Sequence, residues 1–216
     1  MQNYPSVGCV VMASGLSTRF GSNKLLADFC GRPMLCRTLD AVGTPLLPCK
    51  IVVTRSEGVQ DLCREHGIPV LLHSLPGRND TVRLGLSALL EQQPGLSGCM
   101  FLPGDQPLLC RETVEQMVDD FRALYANGQK ETEQEIFRLG YQSKKDSVPL
   151  VGSPVLFGCG YFPELCTLPE GRGGSMLLRK YPAHVHIVYT ANREELADAD
   201  TPEALEQLKA AALRKR

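Results

Sequence analysis

Val7-Gly8-Cys9-Val10-Val11-Met12 is an apolar run that breaks into Ala13-Ser14-Gly15-Leu16-Ser17-Thr18-Arg19-Phe20-Gly21-Ser22-Asn23-Lys24 before apolar residues resume. The pattern is that of a buried strand emptying into a polar glycine loop, and open α/β sheets place their ligands just past the carboxyl ends of strands. Backbone N–H groups of such a loop can form an anion-binding concavity, and Arg19 and Lys24 can add the positive charge that a triphosphate needs. Five residues separate Gly15 from Gly21 and no Gly-Lys-Ser/Thr follows, so the P-loop pattern fails, as does the dinucleotide G-x-G-x-x-G pattern. The residues alone leave two readings, a phosphate cradle or an ordinary exposed turn between strand and helix.

Outward from this stretch, strand and helix patterns alternate. Pro33 is placed to open a helix through about Val42, Ile51-Val52-Val53 is a β-branched strand, and a helix follows from about Gly58 to His66. Val70-Leu71-Leu72 is a third strand. The turn Pro76-Gly77-Arg78-Asn79-Asp80 opens a helix whose Val82, Gly85, Leu86, Leu89 and Leu90 keep helical spacing, with Asp80 or Thr81 expected as its N-cap. Gly85 costs that helix about 1 kcal/mol relative to alanine, which predicts close approach of a neighbouring backbone. Cys99-Met100-Phe101-Leu102 is a fourth strand running into Pro103-Gly104-Asp105-Gln106-Pro107, which presents Asp105 at the sheet's carboxyl edge either as a helix cap or as a metal ligand. Short connections between alternating elements predict an α/β fold, one doubly wound, mostly parallel sheet.

The second half is read in the same way. Val114, Met117, Val118, Phe121 and Leu124 form a core stripe on a helix from Glu112 to Tyr125, the polar stretch Asn127 to Glu135 reads as an exposed, solvated excursion, and Ile136 to Tyr141 returns to the sheet. His184 and His186 alternate in a strand from His184 to Tyr189 and so share a face, but no further ligands are spaced to complete a zinc site. Thr201 as N-cap, Pro202 at the first helical position and Glu203 in the first turn open a last helix with Leu205 and Leu208 inward. Helix initiation does not explain the preceding carboxylates, Asp198 and Asp200.

The chain has 216 residues and a formal net charge of −1, so it reads as one domain (1–216), and no global field favours nucleic acid or an anionic membrane. No apolar run approaches the roughly 20 residues of a membrane helix and no leader pattern opens the chain, so the expected location is cytoplasmic. The nine cysteines include no C-x-x-C pair and read as reduced, small core residues.

Met12-Ala13-Ser14-Gly15-x-Ser17-x-Arg19-x-Gly21-x-x-Lys24-Leu25-Leu26 resembles the signature of the nucleotidyltransferases that include the molybdenum cofactor guanylyl- and cytidylyltransferases. Further matches are Gly31, Pro33, Met34 and Leu35; Thr81 with Gly85-Leu86; Gly104-Asp105-Gln106-Pro107; Gly152-Ser153-Pro154-Val155-Leu156-Phe157; Phe162-Pro163-Glu164-Leu165; and Asp198-x-Asp200-Thr201-Pro202. The resemblance implies a Rossmann-like nucleotidyltransferase fold with a nucleotide-binding half (about 1–110) and an acceptor half (about 111–216). It implies Arg19 and Lys24 on the triphosphate, a nucleotide cradle of Ala13, Ser14, Gly15, Leu16 and Ser17, a base or ribose wall from Arg78 to Thr81, and Gly104 among the nucleotide-binding residues. Mg²⁺, or alternatively Mn²⁺, is implied on Asp105 with Asp200 or Asp198. Ser153 and Arg172 are implied on the acceptor side; where relatives carry an aspartate before that arginine, this chain has Gly171. The implied reaction joins CMP from CTP to the terminal phosphate of molybdopterin, releasing pyrophosphate. The alternatives are another cytidylyl- or guanylyltransferase acting on a phosphate-bearing small molecule, or a non-catalytic nucleotide-binding accessory protein that contacts a molybdenum hydroxylase apoenzyme.

Overall fold

The computed structural model describes residues 5–18, 20–126, 133–144 and 147–214. Seven strands, β1 (Val7–Ala13), β2 (Cys49–Thr54), β3 (Val70–Leu72), β4 (Gly98–Pro103), β5 (Ile136–Tyr141), β6 (Leu150–Gly158) and β7 (Val185–Tyr189), form one sheet in the order β3-β2-β1-β4-β6-β5-β7. β1 pairs in parallel with both β2 and β4, β2 with β3, and β5 with β7, while β6 is antiparallel to both of its neighbours. The expected mostly parallel sheet is therefore present, with β6 the one reversed strand. Strand order turns back between β1 and β4, which creates a crevice beyond their carboxyl ends.

Period-two patterning explains the layers. Val7, Cys9, Val11 and Ala13 of β1 enter one core with residues of α1 (Met34–Ala41), α2 (Glu57–Glu65), α4 (Arg111–Ala126) and α7 (Pro202–Leu213). Val10 enters the other, against α3 (Arg78–Gln92), α5 (Phe162–Cys166) and α6 (Ser175–Lys180). Helices thus cover both faces, which is why the central strands are apolar throughout. Five of the cysteines, Cys9, Cys36, Cys49, Cys63 and Cys99, are buried and all nine are free. Burial pushes the Cys9 thiol up to about 12, so it is an inert core group.

Four local expectations need correction. Gly77, not Asp80 or Thr81, caps α3, because the Asp80 carboxylate turns back to accept from Gly77 N at 3.1 Å. Gly85 is required by side chains rather than backbone: a Cβ there would lie 2.5 Å from Val10 Cγ1 and 3.0 Å from Val53 Cγ2. His184 ends a 3-10 turn ahead of β7 instead of starting the strand, and its Nδ1 lies 2.7 Å from Gln134 O while His186 Nε2 lies 2.6 Å from Glu135 Oε2. Part of the expected polar excursion, residues 127–132, lies outside the described residues, but Glu135 faces the sheet edge as the partner of His186 rather than open solvent.

Candidate active site

The loop after β1 is held from beneath. Thr54 Oγ1 donates to Ala13 O at 3.1 Å, and Ser14 Oγ donates to Val53 O at 3.1 Å, so the strand end and the loop start are both tied to β2. Ser14 Oγ also lies 2.8 Å from His73 Nε2. Val53 O and His73 Nε2 are both within reach of the hydroxyl's one proton, and a proton on His73 Nε2 lets all three groups bond at once. Burial, then the charge of Arg55, lower the His73 pKa below the usual imidazole value, which favours that neutral form. Arg55 donates from Nε to Ser14 O at 2.8 Å and reaches Pro76 O with a second nitrogen, joining the first loop to the one that precedes α3.

Farther along the loop, Ser17 adopts a left-handed backbone (φ 51°) and its hydroxyl accepts from Lys24 N at 3.2 Å. Asn23 caps the following 3-10 turn, its Oδ1 accepting from Leu25 N at 3.1 Å. These contacts turn the chain back so that Lys24, only 9% exposed, points under the loop. Its Nζ lies 2.5 Å from Asp105 Oδ2 and 2.8 Å from Asp200 Oδ1. Burial pulls the Lys24 pKa down, but the hydrogen bonds to Asp105 and Asp200 outweigh it and hold the pKa above the usual lysine value.

The carboxylates meet because two distant segments are pinned together. Ala199 N donates to Asp105 O at 3.0 Å, which sets Asp198 and Asp200 on either side of that bond. Thr201 caps α7, accepting from Ala204 N at 3.1 Å, and so fixes where the acidic segment ends. Burial, then the Asp105 charge, push Asp198 up to about 6 against a hydrogen bond from the buried Gln106 side chain.

This donor set fits a hard dication. Asp105 and Asp200 already converge on one cationic atom, and carboxylate oxygens suit Mg²⁺ or Mn²⁺. Among the described residues no group of three or more His, Cys, Asp and Glu side chains stands at metal-binding spacing. Mg²⁺ is commonly held by one or two carboxylates, with substrate phosphate and water completing its shell.

The resulting cleft, about 640 Å³, lies at the switch point of the sheet. Of the residues expected in the site, Ala13, Ser14, Gly15, Leu16, Ser17, Lys24, Arg78, Thr81, Asp105, Ser153, Asp198 and Asp200 all line it. Gly104 does not; it packs behind Asp105, where a Cβ would lie 3.2 Å from Leu35 and 3.3 Å from Leu25. Arg172 lines neither this cleft nor the smaller recess beside it, and it sits exposed in a turn closed by Arg172 N to Pro169 O. Arg19 lies outside the described residues. Sequence reading missed Arg55 and His73, although Arg55 immediately follows β2 at the same sheet edge, a position that could have marked it. It also missed Arg138, the one charged residue within β5, which lines the recess.

Fold and cleft together define a Rossmann-like α/β protein whose switch-point cleft lies between the first βα loop and an acidic pair. A family model described as "MobA-like NTP transferase domain" matches residues 9–186, and the chain belongs to that family. A "Bifunctional protein GlmU" from Rubrobacter xylanophilus is 33% identical over 119 residues, covering 53% of this chain and 25% of that protein. A "Probable molybdenum cofactor guanylyltransferase" from Pyrococcus horikoshii is 28% identical over 111 residues, 51% of this chain and 54% of that protein. The match thus spans between a quarter and about half of these curated relatives. The crystal structure of Rv0371c from Mycobacterium tuberculosis superimposes with a TM-score of 0.75 at 23% identity, covering 95% of this chain and 98% of that one. The same mycobacterial protein has been solved in complex with manganese, with a TM-score of 0.67 and 20% identity over 95% of this chain and 99% of that one. At these identities the structural likeness establishes the fold.

Proposed function

We propose that the protein transfers CMP from CTP to the terminal phosphate of molybdopterin, with release of pyrophosphate. The observation that supports this reading most is the meeting of Lys24, Asp105 and Asp200 beneath the glycine loop, which unites a phosphate cradle with a metal-competent acidic pair. In the reaction, an anionic oxygen of the acceptor phosphate attacks the α-phosphorus of CTP. The bond from that phosphorus to the bridging oxygen of the β-phosphate breaks, and pyrophosphate carries the electron pair away. The attacking phosphate is already anionic at neutral pH, so the site needs no general base, and none of its side chains is asked to be one.

Gly15, Leu16 and Ser17 offer backbone N–H groups to the triphosphate, and the Lys24 ammonium neutralises charge on its oxygens. Arg19 is assigned to the same task. Asp105, with Asp200 or Asp198, would hold Mg²⁺, or Mn²⁺ in its place, and the bound cation would supply Lewis-acid stabilisation of the charge that builds on the phosphates as pyrophosphate leaves. Arg78, Thr81 and Ser14 wall the base and ribose, and Ser153 faces the acceptor. Holding both reactants in line can supply about 7–11 kcal/mol of the barrier.

A guanylyltransferase reading is favoured by the name of the Pyrococcus relative. Incubation with each NTP in turn, Mg²⁺ and molybdopterin, with pyrophosphate measured, separates the two. Release with CTP alone supports the proposal, and release with GTP alone replaces it. Tight CTP binding without release would instead point to a nucleotide-binding accessory protein that hands cofactor to a molybdenum hydroxylase.

A further inference from the structure

Beside the cleft lies a recess of about 180 Å³ between the sheet and the α3, α5 and α6 layer, joined to the cleft by Met12, Arg78 and Ser153, which line both. Its lining contains two arginines, Arg78 and Arg138, and no acidic or histidine side chain. Arg138 stands on β5 directly across from Val155, itself across from Phe101, so the three share one row on the face that bounds the recess. Its Nε is buried without a partner, and the side chain makes no hydrogen bond or ion pair among the described residues. Arg138 is half-buried, and that burial alone lowers its pKa from the usual guanidinium value. A guanidinium whose Nε is buried without a counter-charge carries a desolvation cost, and a buried polar atom left unpaired calls for an explanation.

Arg78 is placed to join it. Its aliphatic stem crosses Gly173 so closely that a Cβ there would lie 2.8 Å from Arg78 Cδ, so glycine at 173 makes room for the arginine. The rest of the lining is largely apolar, including Phe101 and Phe157, whose rings meet edge to face at 5.9 Å.

We propose that this recess is the acceptor subsite, and that Arg138 and Arg78 grip an anionic group on an acceptor whose planar or apolar body lies against the Phe101 and Phe157 side. Planar guanidinium forks are suited to carboxylate and phosphate, and the apolar wall offers a face against which a planar ring can lie. Calling the ligand an acceptor rests on the transferase reading; the anion-and-ring chemistry of the recess does not.

Phenyl phosphate, which combines a planar ring with one anionic group, is a direct probe, titrated by calorimetry with and without Mg²⁺ and CTP. Wild-type protein should bind it in both conditions, and more tightly than it binds phenol or inorganic phosphate. Arg138→Met, which keeps an unbranched apolar stem but removes the guanidinium, should weaken phenyl phosphate by about tenfold, the loss of one charge-assisted hydrogen bond, and leave CTP affinity unchanged. Arg138→Lys should lose less than Arg138→Met and provides the comparison if the methionine variant does not fold. Absence of binding to wild type, equal affinity in the wild type and the folded Arg138 variants, or displacement by CTP overturns the inference. Failure of CTP itself to bind would sink the transferase reading separately, while the Arg138 comparison still decides the recess.

Discussion

Ser14, His73 and Asp105 each occupy a position in which one proton or one charge decides what the neighbours can do. The Ser14 hydroxyl lies within hydrogen-bond distance of both Val53 O and His73 Nε2, an arrangement that a neutral ring with its proton on Nε2 satisfies. The folded-state pKa of His73 lies below its unfolded value, so the unfolded chain takes up the proton first as the pH falls. The stability contributed by neutral His73 is therefore fully present above about pH 6.5 and is lost as the pH falls through the lower folded-state value. His73→Gln retains an Nε2–H donor and removes the titration. The stability gap between wild type and this variant, from urea melts at pH 7.5 and pH 5, should shrink at the lower pH; an unchanged gap would show that His73 does not titrate differently in the fold. Asp105→Asn keeps the side-chain shape beside Lys24 but removes the charge. It should reduce kcat by at least about 10²–10³-fold, the range for loss of one preorganised electrostatic group, with an unchanged circular dichroism spectrum; retained turnover would remove Asp105 from the reaction.

At the scale of elements, α3 is held against β1 and β2 through the missing side chain of Gly85, and its start is set by Asp80 turning back to Gly77. Gly85→Ala should therefore not show the usual gain of alanine within a helix. The added methyl meets Val10 and Val53 inside the sheet-facing core, where overpacking costs typically about 1–3 kcal/mol. Chemical denaturation should read that loss, and the NTP KM should rise with it, because α3 carries Arg78 and Thr81 into the cleft. A stability equal to or above wild type would mean that the helix can move off the sheet freely. The periodicity of Val82, Leu86 and Leu89 was legible in the chain as written, but the cap was not. Asp80 and Thr81 are both good N-cap residues, and only the course of the preceding turn leaves the capping position to Gly77.

Across the whole molecule, the cleft is assembled from pieces that are far apart in sequence, the loop at 13–18, Arg55, the turn at 76–78, Asp105 and the segment 198–200. A nucleotide that touches several of these at once binds the folded state alone, so it stabilises the fold by mass action. With CTP at one hundred times its Kd and Mg²⁺ present, stability should rise by about 2.7 kcal/mol, or roughly 5–10 °C in Tm for a chain of this size. Adding EDTA should remove most of that increment, because triphosphate charge then faces Asp105 and Asp200 without a neutralising cation. A shift that survives EDTA undiminished would show that the acidic pair plays no part in holding the nucleotide.

The sequence by itself determined the alternation of strand and helix, the apolar central strands, the glycine loop after the first strand and the acidic positions 105, 198 and 200, because local periodicity and turn chemistry are written in contiguous residues. It also carried the family resemblance, since that rests on short motifs of fixed spacing. Only the tertiary structure decided that β6 runs against its neighbours, that Lys24 bridges Asp105 and Asp200, that Arg55 and His73 brace the loop, and that Arg138 rather than Arg172 lines the recess. Each of these depends on hydrogen bonds or burial between residues distant in the chain, such as Ala199 N to Asp105 O. No local pattern encodes such a pairing; it is set by how the sheet orders its strands and where its connections cross back over the carboxyl edge.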